Sequence, residues 1–142
     1  MKENTTIKSP ILYLQHQYEL LQMEYEYEKE QFKQQTELMG IGRKIKRGMC
    51  WYPLNLGRNY YNALNQLVVE VERREDKEVE HQFEYGRPVC FFTQDISGKL
   101  NYLNFVATVN YVDEDRMVVI LPSVDALLAL QSKEVLGVQL YF

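Results

Sequence analysis

Four cations within five positions, Arg43, Lys44, Lys46 and Arg47, stand just ahead of two large aromatics, Trp51 and Tyr52, and three more arginines follow at Arg73, Arg74 and Arg87. Cations track phosphates while aromatic faces stack bases, so this combination suits a contact with single-stranded nucleic acid. A second grouping sets Arg58 beside Tyr60 and Tyr61 with little apolar cover. Alternation from Cys50 to Leu54 puts Trp51 on the face opposite Tyr52, so at most one of that pair can be a stacking platform. The competing assignment places Trp51 in the core and makes the basic run a solvated junction. A net charge of −4 argues against holding a polymer by bulk electrostatics, so any such contact is local and weak. Residues 1–40 carry four Lys against seven Glu, while residues 41–142 carry twelve basic and thirteen acidic groups. The acidity is therefore concentrated in the first part of the chain.

Other chemistries lack their residues. Ser97-Gly98-Lys99-Leu100 has neither the leading glycine nor the hydroxyl residue of a phosphate loop, so ATP hydrolysis has no seat here and no cofactor is expected. Neither a Gly-x-Ser-x-Gly elbow nor a His-Glu-x-x-His pair occurs. Glu24, Glu26, Glu28 and Glu30 alternate, and on a helix such residues point about 200° apart, which reads as a solvated face rather than a paired-carboxylate site. Asp113-Glu114-Asp115 lacks the rest of a calcium loop and reads as a charged turn. Cys50 and Cys90 sit among apolar neighbours and are expected to be buried thiols, and with His16 and His81 so distant no metal site is predicted.

The elements that would position these groups begin with a helix at Ser9-Pro10, a hydroxyl cap followed by a residue suited to the first helical position. Ile11, Tyr18, Tyr25, Phe32 and Met39 recur every seven residues, and Leu14 and Leu21 fill alternate positions before Glu28 and Gln35 interrupt them. That predicts a coiled-coil-like helix over 1–42 that pairs with another helix, either from a second copy or from a continuation of the chain; packing along its own β-domain is the alternative. Gly40 and Gly42 are expected to break it. Residues 43–142 then predict six short strands: Met49 to Leu56, Leu67 to Arg73, Pro88 to Thr93, a long run with Leu103, Phe105, Ala107, Val109 and Tyr111 on one face, Arg116 to Leu121, and Leu136 to Phe142. One short helix, capped by Ser123, precedes the last. The expected fold is α+β, a long N-terminal helix followed by a small six-stranded antiparallel β-barrel. No run of roughly 18 apolar residues indicates a membrane span, and the polar start is no signal peptide, so a cytoplasmic location is expected.

Segments along the whole chain carry a resemblance: the helix from Ser9, Gly48-Met49-Cys50-Trp51-Tyr52-Pro53-Leu54, Phe83-Glu84-Tyr85-Gly86-Arg87-Pro88-Val89, Met117 to Pro122, and Leu136 to Leu140. Together they resemble the helical stalk and accessory β-barrel domain (domain 1B) of superfamily 1B helicases, the group containing the immunoglobulin-mu-binding and nonsense-mediated-decay helicases. The resemblance implies a non-catalytic accessory domain that guides single-stranded DNA or RNA for an ATP-dependent motor. ATP and magnesium would belong to that motor, and a second stalk helix would pair with the first through Ile11, Leu14, Tyr18, Leu21, Tyr25 and Phe32. The alternative expectation is a protein-interaction module using the heptad helix, with a homodimer as one form. The strand running to Phe142 without a cap suggests a piece of something longer.

Overall fold

Apolar side chains recur along the predicted strands, and they find partners across a single antiparallel sheet. The computed structural model describes residues 40–141. Its elements are α1 (Ile41–Lys46), β1 (Cys50–Trp51), β2 (Leu54–Tyr61), β3 (Leu67–Arg73), β4 (Pro88–Gln94), β5 (Leu100–Val112), β6 (Arg116–Ile120), α2 (Val124–Gln131) and β7 (Gly137–Leu140). The strand order is β1-β7-β4-β5-β6-β3-β2.

This corrects the expected architecture. The described residues form a mostly β fold, a seven-stranded open antiparallel sheet with two short helices, where a six-stranded barrel behind a long helix was expected. The run from Met49 to Leu56 is not one strand: Pro53, which has no N–H to donate and follows a cis peptide bond, divides it. The two halves then take different neighbours, β1 pairing with β7 and β2 with β3, and no ladder joins β1 to β2. They thus occupy opposite edges of the sheet, joined in sequence by Tyr52-Pro53, and Leu54 N donates to Leu136 O, just before β7, at 2.9 Å. The heptad residues Ile11, Leu14, Tyr18, Leu21, Tyr25 and Phe32 lie outside the described residues, so the coiled coil gains no support from the structure. Gly42 lies inside α1, and Gly40 is its N-cap.

Cross-strand partners share a face, so the register sorts the core. Trp51, Val138 and Phe91 are aligned across β1, β7 and β4 on one face, and all three are buried. Cys50, Gln139 and Cys90 are aligned on the other, and they too are buried. Burial on both faces explains why β7, Gly-Val-Gln-Leu, is covered at every position. On the second face Tyr52 stacks on Phe92 at 5.8 Å, and the Phe92 ring tilts against Tyr102 at 5.9 Å.

Local sequence logic holds in several places. β3 runs over Leu67–Arg73 as its alternation predicts, and Ser123 Oγ accepts from Ala126 N at 3.2 Å, capping α2. In β5 the one-face pattern fails at Tyr111, which is 56% exposed. A register shift between Val109 and Tyr111, opposite consecutive Val119 and Val118, inserts an extra residue and turns Tyr111 outward.

Gly137 faces Phe92, and a Cβ there would overlap the ring, coming within 2.6 Å of one Cε. Phe92 is fully buried and has no room to withdraw. Gly137→Ala is therefore expected to destabilise the fold by about 1–3 kcal/mol, read as a lower urea midpoint with an unchanged slope.

Candidate nucleic-acid interface

A cation contributes to binding only if its charge reaches solvent, and the structure divides the candidates on that basis. Lys44 is 1% exposed; its ammonium donates to Tyr102 Oη and to Gln139 Oε1, both at 3.1 Å. Tyr102 Oη also donates to Gln139 Oε1 at 3.1 Å. Lys44 is thereby committed to fastening α1 onto β5 and β7. Arg73, 3% exposed, donates from Nε to Asp115 Oδ1 at 3.2 Å and from its terminal nitrogens to Asp76 O and Lys77 O at 3.1 and 3.2 Å. Its guanidinium lies 5.1 Å from the centre of the Trp51 ring.

Trp51 itself is 2% exposed, enclosed by His81 at 5.1 Å, Phe83 at 5.2 Å and Arg73. It has no face left for a base. His81 Nδ1 accepts from Phe83 N at 3.2 Å, so the proton sits on Nε2, which donates to Asp113 O at 2.7 Å. The charged segment after β3 is thus seated on the core by Phe83 and His81 rather than standing free of it.

Arg58 is exposed but paired, with Glu70 at 3.0 Å and the Tyr60 ring at 5.4 Å. The hydrogen bond between them raises the Arg58 pKa and lowers that of Glu70. Tyr60 and Tyr61 are 37% and 58% exposed, but neighbours on a strand face opposite ways, so the two rings do not make one platform. Arg43 is exposed on α1; Arg74 is exposed beyond β3, with its backbone N–H bonded to Pro53 O at 3.0 Å.

Lys46, Arg47 and Arg87 come together. They line an open cleft of about 570 Å³ with the segment from Val79 to Gln82 and Glu84. Gln82 ties the two walls, its backbone N–H donating to Gly48 O at 2.9 Å and its side-chain amide to Arg47 O at 2.6 Å. Gly48 has φ +75°, and a Cβ there would run into the backbone of Glu80 and His81, so only glycine permits this approach. Glu80 and Glu84 make the cleft mixed in charge rather than purely basic. A neighbouring cleft of about 740 Å³ is also mixed in charge, with Glu78, Glu80, Asp113 and Glu114 against Arg73 and Lys77. Among the described residues no group of three or more His, Cys, Asp or Glu is arranged to hold a metal. No described helix is long and apolar enough to cross a membrane.

Sequence reasoning missed Tyr85, which is 79% exposed between cleft-lining Glu84 and Arg87. Its only local signal is the turn-forming Tyr85-Gly86 pair. No family model and no curated protein matches the chain, so the helicase resemblance gains no support from comparison.

Two predictions follow from this chemistry. Cys50 and Cys90 are buried thiols not joined in a disulfide, and burial pushes the Cys50 thiol up to about 12. The native protein is expected to leave both thiols unreactive toward a disulfide reagent at neutral pH, with both titrating after unfolding in urea. Backbone N–H groups of Arg116 and Asp115 hold the Asp113 carboxyl below its ordinary 3.8. Its stabilising contribution is present above that ordinary value and is lost as pH falls through the lower folded-state one. Asp113→Asn should therefore lower the urea midpoint near neutral pH and converge with the parent in acid; a gap that stays constant with pH would refute the assignment.

Proposed function

We propose that residues 40–141 form a non-catalytic module that contacts single-stranded nucleic acid through the cleft bearing Lys46, Arg47 and Arg87. One observation carries this reading: Lys46 and Arg47 from one part of the sequence and Arg87 from a distant one line the same open cleft. Glu80 and Glu84 in the walls, and a net charge of −4, keep the contact weak. Weak guidance of a strand is what an accessory domain would supply to an ATP-driven helicase motor, the setting implied by the sequence resemblance. In that setting ATP and magnesium are handled by the motor and not by these residues.

A second reading, a protein-binding module, is favoured by Val124 and Leu128, which lie one turn apart on α2 and are 52% and 55% exposed. The two readings separate in one titration. Labelled oligo(dT) or oligo(rU) is expected to bind the protein at low salt, with log affinity falling against log salt at a slope of about −2 for three phosphate contacts. Combined Lys46→Ala, Arg47→Ala and Arg87→Ala substitution should abolish most of both the affinity and the slope, whereas Arg58→Ala should leave them unchanged. Absence of binding by the parent protein at low salt would sink the nucleic-acid reading and leave the protein-binding one.

A further inference from the structure

The geometry points to Tyr85 as the base-stacking platform of the cleft, a recognition element for one unpaired base. This inference rests on the nucleic-acid reading and adds to it the part of the ligand that phosphate contacts leave unread. Tyr85 occupies the second position of the turn from Glu84 to Arg87. Arg87 N donates to Glu84 O at 3.1 Å, and Gly86, at the third position, has φ +85°. That is the geometry in which a positive φ is supplied by glycine and the preceding side chain projects outward.

The turn is held in place. Gly86 N donates to Val109 O at 2.8 Å and Val109 N donates to Arg87 O at 3.0 Å, fixing both sides of the turn to β5. A ring carried on an anchored turn loses little further freedom when a base settles on it. Glu84 and Arg87, the residues at either end of the turn, both line the cleft, so the turn that carries Tyr85 borders it, with the ring itself outside the lining. Gly86 has open space around its Cα, and at 79% exposure the Tyr85 ring keeps a face accessible. Other exposed tyrosines are placed differently: Tyr60 lies against Arg58, Tyr102 is bonded to Lys44 and Gln139, and Tyr60, Tyr61 and Tyr111 lie on β2 and β5, which contribute no residue to the cleft lining. Trp51 is buried.

The test uses the full chain with labelled oligo(dT) and an abasic oligonucleotide of the same length. Tyr85→Ala is expected to lose roughly tenfold in affinity for oligo(dT), the usual effect of removing one stacked ring, while its salt slope stays that of the parent. Both proteins should bind the abasic strand alike. Tyr85→Trp should keep the parent affinity, and its fluorescence should be quenched by oligo(dT) beyond any change seen in the parent, whose single Trp51 is buried. Circular dichroism of each variant checks the fold. If Tyr85→Ala binds oligo(dT) as tightly as the parent while loss of the three cleft cations abolishes binding, stacking is refuted and the cleft reading stands. If the parent binds neither strand at low salt, both are refuted.

Discussion

The guanidinium of Arg73 is the contact on which the cleft depends. It lies over the Trp51 ring and is almost wholly removed from water, so each of its hydrogen bonds must be found within the protein. It meets the carboxylate of Asp115 in the β5–β6 turn and the carbonyls of Asp76 and Lys77 in the segment after β3. Three parts of the chain are thereby drawn to one point. Leaving such a buried charge without its partner typically costs about 3–5 kcal/mol, which makes the arrangement hard to relax piecemeal. Beyond Lys77 the same segment lays His81 and Phe83 on Trp51 and then forms one wall of the cleft.

The facing wall depends on another interior cation. Lys44 holds α1 to β5 and β7, and the two residues after Ile45, Lys46 and Arg47, are carried to the cleft by that docking. Two positive charges are thus given to architecture. The cleft itself is lined by Lys46, Arg47 and Arg87 beside Glu80 and Glu84, so its charge is mixed.

Much of the fold was legible where the deciding interactions are local. The alternation of β3, the turn at Asp113-Glu114-Asp115 and the Ser123 cap each express contacts within a few residues. Trp51 was readable as either core or platform, and its neighbours His81 and Phe83, far along the chain, decide for the core. The burial of Lys44 and Arg73 was not legible, because charged residues default to the surface. Their partners Gln139 and Asp115 lie far away in sequence, and no local pattern announces them. The division at Pro53 was visible as a proline, yet only the different ladders on either side show that it splits one predicted strand into two edges. Tyr111 needed knowledge of a bulge, and Tyr85 gave only a tyrosine beside a glycine.

The strand order also says something about assembly. β7 lies between β1 and β4, so Cys50 and Cys90 are both set against Gln139, near the far end of the described residues. Until β7 is available, β1 has no ladder, Lys44 lacks Gln139, and the second face of the sheet stays open. The β2–β3, β4–β5, β5–β6 and β3–β6 pairings need no residue of β7, whereas the ladder of β1 does. The α1 wall of the cleft is therefore tied twice, through Lys44 to the last described strand and through Gln82 to the segment after β3.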